Sequence, residues 1–299
     1  MSPVRGRVAP TAGFTLIEIA VVIVVMSLLL AMIAGLATAM LGQQRREATR
    51  QRLAGVETAI ALFVSQNKRL PCPADGRIAG TAANAGQELR NGTGQCTVAG
   101  AADTQTHGVV PWLSLGLAEQ DVTDGWGNRL TYRLAPELAL VNAMDLTACD
   151  PGGTGGLVGT VCNATCSSGS FPSGCTPPST YTQGKGLKIR NLASASLIMN
   201  PNANPSTGAA YIVISHGENG EGAYSNQGIV QGGAPPSGTL ESANNAANVA
   251  FAFASSTASN PFVDDFPVYA EGAGHFDDWL LRPSILTVAT KAQLGPRAH

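Results

Sequence analysis

The chain has 299 residues with 35 glycines, 18 prolines and only 13% charged residues, at a net charge of −2. That length suits one stalk and one sizeable, turn-rich domain. Residues 71–299 carry ten basic and seventeen acidic groups, a net of −7, which removes electrostatic support for nucleic-acid binding by that part.

The first predicted element is the uncharged run Ile19 to Leu41, IAVVIVVMSLLLAMIAGLATAML. At about 1.5 Å per residue it is long enough to cross a hydrocarbon core about 30 Å thick. A buried core helix would not carry so long a β-branched apolar run. A secretory signal cut near Ala37-Thr38-Ala39 would have a shorter apolar core, about 7–15 residues. A plain uncleaved anchor fits the hydropathy but leaves Glu18 without a purpose, since a carboxylate at the lip of a span is costly.

After the span, Leu53, Val56, Ile60, Phe63 and Val64 recur at helical spacing, and Pro71 stops the pattern. The prediction is one helix from Phe14 to about Lys68, apolar all round in its first half and striped in its second. Gly35 and Gly42 each lower helix propensity by about 1 kcal/mol relative to alanine and are candidate points of bending.

Beyond Pro71 the pattern shortens to β-like runs. Arg129–Leu134, Ala210–Ile214 and Asn248–Phe253 are the clearest, with Ser284–Val288 a weaker fourth, and together they predict an antiparallel sheet. Stretches 150–186 and 226–238, rich in Gly, Pro, Ser and Thr, separate them. Loops of that length in a compact domain are usually functional or partly disordered. The fold class is α+β.

All six cysteines (Cys72, Cys96, Cys149, Cys162, Cys166, Cys175) follow the span. An even number in a loop-rich context predicts disulfides and an oxidising compartment. Spacing suggests Cys72 with Cys96, and leaves three connectivities for the other four. Neither a Cys-x-x-Cys pair nor a downstream His pair completes a zinc site among them. The charge flanks disagree: Arg5 and Arg7 precede the span, but Arg45, Arg46, Arg50 and Arg52 follow it. Counting charges alone would place the second flank inside; the cysteines place the C-terminal part outside.

The string Gly13-Phe14-Thr15-Leu16-Ile17-Glu18 opening this span resembles the N-terminus of type IV pilins and of type II secretion pseudopilins. The resemblance implies a leader of residues 1–13, cleavage between Gly13 and Phe14 by a prepilin peptidase, and N-methylation of Phe14. It implies an assembly helix over 14–41, its amphipathic continuation over 42–70, and a periplasmic β-rich head over 71–299 with insertions at about 137–208 and 224–275. Glu18 then guides assembly, neutralising the terminal amine of a neighbour and fixing axial register. An intrachain pair, or a carboxylate reaching back to the interface, would set no register.

In the head, Asp124-Gly125-Trp126-Gly127-Asn128 with Tyr132, Ser215–Gly222, and Asp277-Asp278-Trp279 are similar in order to three segments of the major pseudopilins. Gly125 stands where those proteins have proline, and the loop has Glu and Asn where they tend to have Asp. The resemblance implies calcium, with Glu218, Asn219, Asp277 and Asp278 as candidate oxygen ligands; a tight Asn219-Gly220 turn with solvated or capping aspartates is the alternative. Trp126 and Trp279 are expected core anchors. No cofactor follows with certainty.

Catalytic patterns are lacking. Ser215 and His216 are adjacent and point to opposite sides of a strand, and His107 and His275 are isolated in sequence. The glycines at 152, 153, 155 and 156 form a loop without the Gly-Lys-Ser/Thr ending of a phosphate cradle. Asn91-Gly92-Thr93 and Asn163-Ala164-Thr165 fit a glycan acceptor pattern that is common by chance.

The sequence thus points to a non-enzymatic filament subunit of type II secretion or a type IV pilus. Its partners would be prepilin peptidase, other subunits and an inner-membrane assembly platform. It would be a single-pass protein of the bacterial inner membrane with a cytoplasmic N-terminus. The alternative is a membrane-tethered periplasmic binding protein or enzyme.

Overall fold

The computed structural model describes residues 15–92, 94–97, 107–145, 182–191, 196–232, 240–245, 262–270, 272 and 274–294. Gly13, Phe14, Cys149, Cys162, Cys166, Cys175, the predicted strand 248–253 and the Asn163 acceptor pattern lie outside these residues.

Helix α1 runs Leu16–Asn67, and the chain divides after Arg46 into two compact units. In the first unit the helix exposes apolar side chains around its whole circumference, as at Val21, Leu29 and Leu30. A helix apolar on every face needs lipid or protein around it, and this one is long and apolar enough to cross a membrane. The helix is continuous through Gly35 and Gly42, and a Cβ at either would meet nothing within 4 Å. Neither glycine interrupts it.

In the second unit, Leu53, Val56, Ile60 and Val64 are buried, as helical spacing predicts, and join the core of the head. The helix ends at Lys68, which takes a left-handed conformation (φ 58°) with its N–H on the Val64 carbonyl, a C-terminal cap usually given to glycine. Arg69 then pairs with Glu88 at 2.6 Å, and Glu88 also accepts the Cys72 N–H at 2.8 Å. The disulfide Cys72–Cys96 closes this segment.

The main sheet is antiparallel. Strands β1 (His107–Val109), β2 (Thr131–Leu134), β5 (Tyr211–Ser215) and β7 (Trp279–Leu281) lie in the order β1-β2-β5-β7. Every residue of β2 and β5 is buried, so both faces of the sheet centre are covered. This explains why Tyr211-Ile212-Val213-Ile214 reads as a continuous apolar run rather than an alternation. A smaller sheet, β3 (Ile189–Arg190) between β4 (Leu197–Met199) and β6 (Phe262–Val263), is built from the long connections.

Ser284–Val288 is not a strand. Helix α2 covers Ile285–Lys291, with Ser284 at its N-cap accepting the Thr287 N–H at 3.2 Å. Ile285, Val288, Ala289 and Ala292 are buried at helical spacing. Five β-branched-rich residues are too short a window to show that period. Trp126 and Trp279 are only partly buried; Trp112, at 6% exposure, is the tryptophan inside the core.

Candidate functional site

At the N-terminus, Thr15 and Glu18 form a reciprocal cap. Glu18 Oε2 accepts the Thr15 N–H at 2.8 Å and its hydroxyl at 2.9 Å, while the Glu18 N–H reaches Thr15 Oγ1 at 3.4 Å. This is the Thr-x-x-Glu capping box, which satisfies two helix-end donors and was legible in Thr15-Leu16-Ile17-Glu18. In the single chain, therefore, the carboxylate makes an intrachain contact.

The three head segments that resemble the pseudopilin pattern come together. Asp124 Oδ1 accepts the N–H groups of Trp126 and Asn128 (3.0 and 2.9 Å), and its Oδ2 accepts the Ser215 hydroxyl at 2.7 Å. Arg52 of α1 donates to the carbonyls of Thr123 and Asp124, and the Gly125 N–H bonds Thr49. Arg50 lies over the Trp279 ring at 4.6 Å. Burial raises the Asp124 carboxyl above the usual aspartate range, opposed by the bonds from Asn128, Ser215 and Trp126.

Next to Ser215, the buried His216 ring meets Thr131 Oγ1 at 2.9 Å through Nε2 and stands 3.5 Å from Asp278 Oδ1 through Nδ1. Ser215 and His216 thus turn to different partners and form no nucleophile–base pair. Asp278 also accepts from Asn244 at 2.9 Å, and Asn244 binds both backbone groups of Val263.

Gly217 begins the turn (φ 57°), where a Cβ would lie 2.3 Å from Asp277 Cγ; only glycine fits this approach. The consequence is a loop held by Asp277, whose Oδ2 accepts the N–H groups of Glu218 and Asn219 at 2.7 and 3.2 Å. Asn219 donates to Glu241 Oε2 at 3.0 Å, and Glu241 Oε1 accepts the Asp277 N–H at 2.9 Å. Burial, and then the neighbouring Asp278 carboxylate, raises Glu241 to about 7. Burial also pushes Asp277 upward.

Of the four calcium candidates, Asp277 and Asp278 are buried, Asn219 is half-buried and the Glu218 side chain is exposed. The three acidic ones do not bring carboxylate oxygens to one point. Among the described residues the groups that converge are Glu241, His275 and Asp277, each offering a ligand atom within 4.8 Å of the others. Sequence reasoning missed Glu241, which lies in a connection without periodicity. His275-x-Asp277 was a usable signal, because residues two apart on an extended segment share a face.

Residues 10–34 match the prokaryotic N-terminal methylation motif. No curated protein and no solved structure matches the chain. Because that motif covers the start of a capped, exposed apolar helix leading into an α+β head, the chain is a pilin-like protein with a prepilin-type N-terminus.

Proposed function

We propose that the chain is a filament subunit, cut by prepilin peptidase between Gly13 and Phe14 and N-methylated on Phe14. Residues 14–41 hold it in the bacterial inner membrane, N-terminus inside and head periplasmic, until the assembly platform inserts it among other subunits. The observation that carries this reading is the coincidence of the methylation motif with the start of a 52-residue helix whose first half is apolar on every face. Such a surface is buried twice over, first in lipid and then among neighbouring helices.

Glu18 supplies register. Cleavage places a new amine at Phe14, one residue before the Thr15 cap, and a neighbour's carboxylate neutralises it at low dielectric. The joined segments at Asp124, Ser215 and Asp277 support type II secretion over a pilus. The long head of residues 71–299 supports a low-copy or tip position, since a heavy insertion on every subunit must fit beside its neighbours in the lattice.

Mass spectrometry of the N-terminus of membrane-extracted protein, from cells with and without prepilin peptidase, tests the reading. A methylated Phe14 start that depends on the peptidase supports it. An intact Met1, or a cut after Ala39, returns the chain to the tethered or secreted alternatives.

A further inference from the structure

Glu241 and Asp277 are buried carboxylates with neither a lysine nor an arginine partner among the described residues. Buried charges are normally paired or bound to metal. Their titratable neighbours are Asp278, which adds repulsion, and His275. Asp277 Oδ1 is buried with no hydrogen-bond partner in a residue only 2% exposed, and both His275 ring nitrogens are buried and unpartnered too.

The distances point the same way. His275 Nε2 lies 3.7 Å from Glu241 Oε1 and 3.8 Å from Asp277 Oδ2, too far for hydrogen bonds. Ligands about 2.1 Å from a shared tetrahedral ion stand about 3.4 Å apart, close to this spacing. The remaining bonds act as an outer shell: Glu218 and Asn219 N–H groups orient Asp277, and the Asn219 amide and Asp277 N–H orient Glu241.

We propose that Glu241, His275 and Asp277 bind one divalent transition-metal ion of the zinc class, clamping the segment around Glu241 to the strand-leading segment His275–Asp278. Two carboxylates balance the ion's charge, and the imidazole selects against calcium, which takes six to eight oxygens. The ion differs from the calcium expected on Glu218, Asn219, Asp277 and Asp278: one nitrogen replaces oxygen, and Glu241 comes from an insertion. The inference is independent of N-terminal processing.

The test uses the full-length protein in detergent, stripped with chelator and dialysed against zinc chloride alone or calcium chloride alone, with bound metal counted by elemental mass spectrometry. The wild type is expected to retain one zinc per chain and little calcium. His275→Ala leaves the hydrogen bonds of Asp277 and Glu241 described above in place and is expected to weaken zinc at least tenfold, with an unchanged circular dichroism spectrum. No zinc on the wild type, or equal zinc on His275→Ala, overturns the proposal. Calcium held equally by wild type and His275→Ala overturns it in favour of the oxygen-only set.

Discussion

Three residues carry most of the argument at the smallest scale. Glu18 has two partners in prospect: Thr15 in the free chain and a neighbour's amine in the filament. Thr15→Val removes the hydroxyl half of the cap, costing about 1 kcal/mol of local helix stability, but leaves the carboxylate. It should still be incorporated, whereas Glu18→Ala should not; equal incorporation of both in sheared filaments would remove the register argument. Arg129 is fully buried, with Nε on Glu119, Nη1 on the carbonyls of Gly76 and Ile78, Nη2 on that of Asn226, and its guanidinium 4.8 Å from the Trp112 ring. Arg129→Leu strands three carbonyls and a partly exposed carboxylate. The expected loss is about 3 kcal/mol, read from chemical denaturation. Asp124 titrates in the opposite sense to a salt-bridged aspartate. Its folded pKa lies above the unfolded value because of burial, so the native state holds the extra proton between the two values, and stability falls as pH rises through that window. The stability of Asp124→Asn relative to wild type should therefore grow as pH rises from about 4; parallel curves would show that burial does not penalise the charge.

At the scale of elements, the Cys72–Cys96 bridge spans 24 residues directly after α1, where the chain leaves the helix and enters the head. Constraining an unfolded loop of that length is worth about 3 kcal/mol. The double variant Cys72→Ala/Cys96→Ala should lose that much, while Ser284→Ala, which removes the cap of α2, should lose only about 1 kcal/mol; the two midpoints can be compared in one urea titration. These elements also show what a sequence can and cannot display. The α1 stripe and strands β2 and β5 were readable because each is long enough for its periodicity or apolar run to register. Strand β1 has three residues and β7 three, so their identity comes from ladders with β2 and β5 rather than from local preference. Asp277 was legible as a candidate ligand through the similarity of its segment, but Glu241, which shares the candidate cluster, was not. Its role depends on a connection folding back to place Oε1 on the Asp277 N–H, a tertiary event with no local signature.

For the whole molecule, the deciding question is how many copies a filament can hold. The helix is apolar at every azimuth over its first half, whereas the proposed insertions at about 137–208 and 224–275 would enlarge the head. Parts of these insertions are packed into the head: Glu137 accepts the Gly186 N–H at 2.8 Å, and buried Arg133 of β2 donates to the Asn245 carbonyl at 2.7 Å. Such anchored additions cannot simply be pushed aside when subunits stack at a fixed axial rise. A lattice built on close helix packing tolerates a bulky head where neighbours are few, which is at an end. Quantitative mass spectrometry of sheared filaments should therefore find this chain far below the principal subunit, at a ratio that falls as filaments lengthen. A ratio near one to one, independent of length, would mean that the head fits the lattice and that the insertions face outward along the whole fibre.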